Sequence, residues 1–296
     1  VEEEIDLSDK IKEKSNRITK IIKDLTDKQI MYATFSPDGN HIAYIFDNNL
    51  YVHNLKWNKT TQITNDGQKN RIINGASDWV YEEEFGSYDA YRWSPSGNHL
   101  LFWQEDQSMV EKFPLIDQMS KYPTVKYIYY PKAGQTNPTV KLGLIDLSSL
   151  HEEAEVDEGV EEEAEIDEDI EEEDHNHHYI SWVNLPEDTY YIPNAIWHKN
   201  KDDLYITTLN RKQNDLKFFR YNLIENESTL VLNDKNETWV DAYDFFGSPG
   251  LFNIDVLNSD EIIWISERDG FKHIYRSRPD GQFINQITRG KREVNG

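Results

Sequence analysis

Three consecutive glutamates, Glu82 to Glu84, lie within the aromatic segment Asp78-Trp-Val-Tyr-Glu-Glu-Glu-Phe85. Like charges packed this closely repel and raise one another's pKa, so the run is costly wherever it is not fully solvated. In an extended strand, neighbouring side chains point to opposite faces. In a helical turn they are about 100° apart, and two adjacent carboxylates can converge on one cation. A primary ammonium, with three donors, suits such a pair. A solvated acidic turn is the other reading of the same residues. Other chemistry-bearing groups are weaker. His151 and His175-Asn-His-His178 flank an acidic run but lack helical spacing or a cysteine partner, so no metal site is expected from them. Gly247-Ser-Pro-Gly250 reads as a turn, because a serine nucleophile elbow needs a strand before it and a helix after it.

The elements that must position these residues read as β-strands. His41-Ile-Ala-Tyr-Ile-Phe46, Leu50-Tyr-Val52, Leu100-Leu-Phe-Trp103, Leu204-Tyr-Ile-Thr-Thr-Leu209, Glu261-Ile-Ile-Trp-Ile-Ser266 and His273-Ile-Tyr-Arg276 are short and rich in β-branched and aromatic types. Gly, Asn, Asp or Pro bounds each of them. A repeat runs through them. Ala33-Thr-Phe-Ser-Pro-Asp-Gly-Asn-His-Ile42 aligns without gaps on Tyr91-Arg-Trp-Ser-Pro-Ser-Gly-Asn-His-Leu100, with looser copies at Asn194–Leu204 and Ile254–Ile262. Phe35 to Trp93 is 58 residues, Trp93 to Trp197 is 104 and Trp197 to Val256 is 59, which predicts one unrecognised copy in the middle. A unit of this length built from about four short strands is the signature of a β-propeller blade. The expected fold is therefore all-β, a partial propeller of about five four-stranded antiparallel blades. Trp93, Trp197 and Trp264 are read as packing anchors of that repeat.

Charge and hydropathy exclude several classes. The chain has 296 residues with 31 Lys+Arg and 55 Asp+Glu, a net charge of −24. No basic footprint for a nucleic-acid backbone is present. No apolar run nears the roughly 20 residues of a membrane span. The acidic Val1-Glu-Glu-Glu start does not read as a secretory signal. Sixteen of the acidic residues fall in Glu152–Asp174, which contains no Lys or Arg, so the remainder carries only −8. With so little apolar surface, residues 148–178 are expected to be a disordered acidic insertion. Residues 1–30 read as an amphipathic helix or part of a blade, 31–147 as blades containing the triple glutamate, and 179–296 as further blades. The absence of cysteine excludes disulfides and thiolate zinc sites.

Two motifs, in order, carry a resemblance. Asp78-Trp-Val-Tyr-Glu-Glu-Glu84 resembles the double-glutamate motif of the dipeptidyl-peptidase IV family of serine peptidases. Tyr130-Pro-Lys-Ala-Gly-Gln-Thr-Asn-Pro-Thr-Val140 resembles that family's Tyr-Pro-Lys-Ala-Gly segment, and Trp264–Tyr275 a later blade pattern. The resemblance implies a propeller that caps a C-terminal α/β-hydrolase domain on the same polypeptide, which would follow outside this chain. It implies a peptide substrate with a free N-terminus, from which X-Pro or X-Ala dipeptides are released. Glu83 and Glu84 would bind the substrate's α-ammonium, and Glu82 would not. Trp239-Val-Asp-Ala-Tyr243 resembles a substrate-facing aromatic segment, making Tyr243 a further substrate-binding candidate. No catalytic triad residue is expected in this chain, and neither a cofactor nor a metal. The family relationship also implies export to a periplasm or cell surface and a homodimer. A non-catalytic propeller serving as a protein-interaction scaffold is the alternative reading.

Overall fold

The structure is a computed structural model and describes residues 29–148, 150, 180–242 and 253–294. Four antiparallel sheets follow one another along the chain. The first joins β1 (Met31–Phe35), β2 (His41–Phe46), β3 (Asn49–Asn54) and β4 (Lys59–Gln62) in sequence order. The second contains β5 (Ile72–Asn74), β6 (Tyr91–Trp93), β7 (His99–Asp106), β10 (Thr139–Asp146) and β11 (Ile180–Trp182). The third joins β12 (Tyr191–Trp197), β13 (Leu204–Leu209), β14 (Asp215–Asn222) and β15 (Glu227–Lys235). The fourth joins β16 (Ile254–Val256), β17 (Ile262–Ser266), β18 (His273–Ser277) and β19 (Phe283–Gln286). Three of the sheets are four-strand meanders, and the second has the same layout with β5 and β6 both paired to β7, as expected of propeller blades.

The repeat lies where its chemistry requires. All four copies are the first hairpin of a blade: β1–β2, β6–β7, β12–β13 and β16–β17. In the first, Gly39 takes φ 77° and donates its N–H to Ser36 O, while Ser36 Oγ accepts the N–H of His41. In the second, Gly97 at φ 79° and Ser94 do the same for His99. Serine thus closes the turn and glycine supplies the left-handed residue. In the first three blades the second strand is buried on both faces, which is why β2 shows no polar alternation, whereas the burial of β17 alternates.

The predicted extra copy between Trp93 and Trp197 is not found among the described residues. Between β7 and β10 the chain instead forms a two-stranded ribbon, β8 (Lys112–Asp117) with β9 (Thr124–Tyr129). Residues 151–179, between β10 and β11, lie outside the described residues. The long interval is therefore insertion into one blade, and four blades are described. The predicted acidic insertion, and most of the 1–30 segment, also fall outside them.

Successive blades are joined by a repeated seam. His41 of the first blade stacks on Trp93 of the second at 6.4 Å, and His99 of the second stacks on Trp197 of the third at 6.1 Å. The indole N–H groups reach back: Trp93 Nε1 donates to Thr34 Oγ1 and Trp197 Nε1 to Arg92 O. The Trp anchors are packing residues, Trp264 being buried and the other two half-buried at the seam.

Candidate functional site

The first strand of the second blade is interrupted. β5 pairs with the Gln104–Asp106 end of β7, and β6 pairs with its Leu100–Phe102 end. Between them, Trp103 bonds to both flanks: Gly75 N–H donates to Trp103 O, and Trp103 N–H to Ala90 O. The intervening residues leave the sheet as a closed excursion, held at its base by an Ala76–Asp89 bridge and by Ser77 N–H on Tyr88 O. Gly75, at φ 73°, makes the departure.

A short helix, α1 (Trp79–Phe85), forms the tip. Asp78 is its N-cap, with Oδ1 accepting the Tyr81 N–H at 3.0 Å. Gly86 ends it in the left-handed region at φ 61° and donates its N–H to Tyr81 O. Cap and stop residue fit the sequence rules for helix ends. The glutamate run is thus helical, the geometry in which neighbouring carboxylates can converge. Val80, Tyr81 and Phe85 are buried, Glu82 is half-buried, and Glu83 and Glu84 are exposed on adjacent positions. Burial, then the Asp78 and Glu83 carboxylates, push the Glu82 carboxyl above its ordinary range.

Two surroundings fix the helix. Against the third blade, Tyr81 Oη accepts the N–H of Ile192 at 3.0 Å, and Phe85 meets Tyr191 with ring centroids 5.6 Å apart. β12 is irregular between Tyr191 and Asn194, freeing the Ile192 main chain, whose carbonyl accepts Trp103 Nε1. Against the second motif, Trp79 meets Tyr130 edge-on at 4.4 Å. The Tyr130–Val140 segment is in turn tied to the third blade. Arg211 donates to Gln135 O and Tyr190 Oη, and Asn137 Nδ2 donates to Tyr191 Oη. On the first-blade side, Tyr32 sits at φ 55° in a bulge of β1, and its carbonyl accepts the Tyr91 hydroxyl. Burial, then the charges of Glu82 and Asp89, raise the Tyr32 phenol pKa.

The structure therefore brings together two motifs some fifty residues apart, both inserted in the second blade and tied to the third. Tyr243 lies outside the described residues, as do His151, His175–His178 and the Gly247–Gly250 turn. Among the described residues no three His, Asp or Glu side chains gather as a metal site, and no helix is long and apolar enough to cross a membrane. Sequence reading missed Tyr32, Tyr191, Arg211 and Glu105. The last ends an apolar strand in a Gln-Glu-Asp run that reads as its polar terminus, yet Glu105 is fully buried.

Comparison with known proteins agrees with this fold. The family model described as the dipeptidyl peptidase IV (DPP IV) N-terminal region matches residues 5–296. Dipeptidyl peptidase 4 of Felis catus is 31% identical over 295 residues, covering 95% of this chain and 35% of that protein. Prolyl endopeptidase FAP of Mus musculus is 29% identical over 272 residues, covering 90% of this chain and 33% of that protein. A crystal structure of Porphyromonas gingivalis dipeptidyl peptidase 4 superposes with a TM-score of 0.73 at 32% identity, over 90% of this chain and 33% of that one. The chain thus spans about a third of the length of these relatives. Four sheets of blade type, two adjoining motifs and a family match over nearly the whole chain lead to one assignment: this protein belongs to the dipeptidyl peptidase IV N-terminal region family, as the N-terminal propeller region of a dipeptidyl-peptidase-4-like peptidase.

Proposed function

We propose that this propeller region binds the free N-terminus of a peptide and meters it to a hydrolase domain on the same polypeptide, which releases X-Pro or X-Ala dipeptides. The observation that carries this is the pair Glu83 and Glu84, both exposed on one short helix that Tyr81 and Phe85 tie to the third blade and Trp79 to Tyr130. A peptide α-ammonium is largely protonated near neutral pH, its pKa being about 7.7–8.0. Held between two carboxylates on a fixed helix, it sets a constant distance to the scissile bond, so the second peptide bond is the one presented. Acyl transfer belongs to the hydrolase domain; this chain contributes binding and register. Tyr243 is assigned to the same substrate surface through its motif. Export to a periplasm or cell surface and pairing of two copies are part of the same proposal. Cell fractionation of the source organism tests the first, and the second is taken up below.

The decisive experiment compares the full-length polypeptide with its Glu83→Gln and Glu84→Gln variants on an X-Pro anilide. Losing one carboxylate of a desolvated charge pair costs on the order of 2–5 kcal/mol. Each variant should therefore lose about 30-fold or more in kcat/KM. Unchanged kinetics in both variants would remove the ammonium-anchor role.

A further inference from the structure

Beneath α1 lies a carboxyl group that the anchor reading does not use. Glu105, on β7, is 0% exposed, and its Oε2 accepts the main-chain N–H of Asp78 at 2.6 Å. Its Oε1 has no hydrogen-bond partner. Asp78 is itself buried, and its own carboxylate caps the helix through Tyr81 N–H. The titratable groups facing Glu105 are Asp78, Tyr81 and Glu82, from α1 and its cap. Its cross-strand neighbours, Ile73 on β5 and Val140 on β10, carry no charge. Neither Glu105 nor Asp78 has an ion-pair partner among the described residues. Two carboxyls in contact, out of water and without a cation, cannot both ionise cheaply.

We propose that Glu105 is a positioning residue for the Glu83–Glu84 pair: from the floor of the second blade it holds the first turn of α1 through the Asp78 main chain, and so fixes how the two glutamates are presented. The proposal rests on the anchor reading for its functional consequence, but not for its structural one. Burial, then the Asp78 charge, push the Glu105 carboxyl well above the ordinary carboxylate range. Burial also raises the Asp78 carboxyl, and the main-chain N–H groups it accepts from α1 work against that shift. Ionisation of Glu105 is thus disfavoured in the folded chain, while its Oε2 still holds the Asp78 main chain. A group whose pKa is raised on folding contributes stability that is complete below its unfolded pKa and is lost as pH rises through the folded value. The support beneath α1 therefore weakens on the alkaline side.

The test uses the full-length polypeptide with Glu105→Leu and Glu105→Gln. It reads amide hydrogen exchange over residues 78–86, KM and kcat on an X-Pro anilide, and melting temperature from pH 4 to pH 9. Leucine removes the acceptor. Exchange in α1 should then rise about tenfold, and KM about tenfold with kcat within about twofold, as for lost uniform binding. Glutamine keeps an acceptor for the Asp78 N–H and cannot ionise. It should restore exchange and KM to within about twofold of wild type, and its melting temperature should gain on wild type as pH rises. Wild-type exchange in Glu105→Leu, or a Glu105→Gln melting curve parallel to wild type at every pH, overturns the proposal. Should the leucine variant fail to fold, the pH comparison with glutamine decides. Faster exchange in Glu105→Leu with KM unaltered there and in both anchor variants would remove the anchor reading and leave the positioning of α1 intact.

Discussion

At the scale of single residues, the glutamates at 83 and 84 depend on the tyrosine before them. Tyr81 is buried, and its hydroxyl accepts the Ile192 N–H of the neighbouring blade. Complete burial keeps that phenol well above its ordinary pKa, so it stays a neutral hydrogen-bonding group. Tyr81→Phe leaves a buried N–H without a partner, a loss of about 1–3 kcal/mol. Urea unfolding of the variant should show that loss; an unchanged midpoint would mean that the Ile192 contact contributes nothing to stability. The acidic pair was legible in the sequence because three adjacent glutamates among aromatics are hard to explain otherwise. Glu105 was not, because its burial is created by a helix that returns over it from a different part of the chain.

At the scale of elements, the first hairpin of each blade was written openly in the Ser-Pro-x-Gly turns. The interruption of the first strand was not. β5 and β6 are three residues each, and only their shared pairing with β7 identifies them as two halves of one strand. The β8–β9 ribbon was likewise hidden behind a spacing that suited another blade. Its cross-strand pairs Pro114–Tyr127 and Ile116–Val125 put these four side chains on one face, and Ile116, Val125 and Tyr127 are all exposed. An exposed apolar face of this kind marks an interaction surface. If it is the contact between two copies, Ile116→Lys should shift the full-length protein toward monomer in sedimentation equilibrium with little change in melting temperature. A dimer that persists would place the contact elsewhere.

At the scale of the whole molecule, blade is joined to blade by polar latches as well as by the His–Trp stacks. Asp202 of the third blade accepts from Ser96 N–H, Ser96 Oγ and His99 Nδ1 of the second. Partial burial pushes the Asp202 carboxyl up, but these hydrogen bonds outweigh it and hold the group below its ordinary pKa. A depressed carboxylate contributes stability above its unfolded pKa and loses it as pH falls through the folded value. Asp202→Asn should therefore lower stability by about 0.5–1 kcal/mol at pH 7, given solvent screening, with the difference from wild type shrinking as pH falls below the ordinary carboxylate range. A difference that persists into acid would show that the latch is not electrostatic.

Local chemistry by itself determined the strands, the turns that join them and the family motifs, because propensity, φ restrictions and residue spacing act within about ten residues. Tertiary structure alone decided the blade count, the splitting of one strand around α1 and the identity of the carboxyl beneath it. Each of these depends on contacts between segments far apart in the chain, and burial is a property of what comes to lie on top of a residue, which no local pattern records.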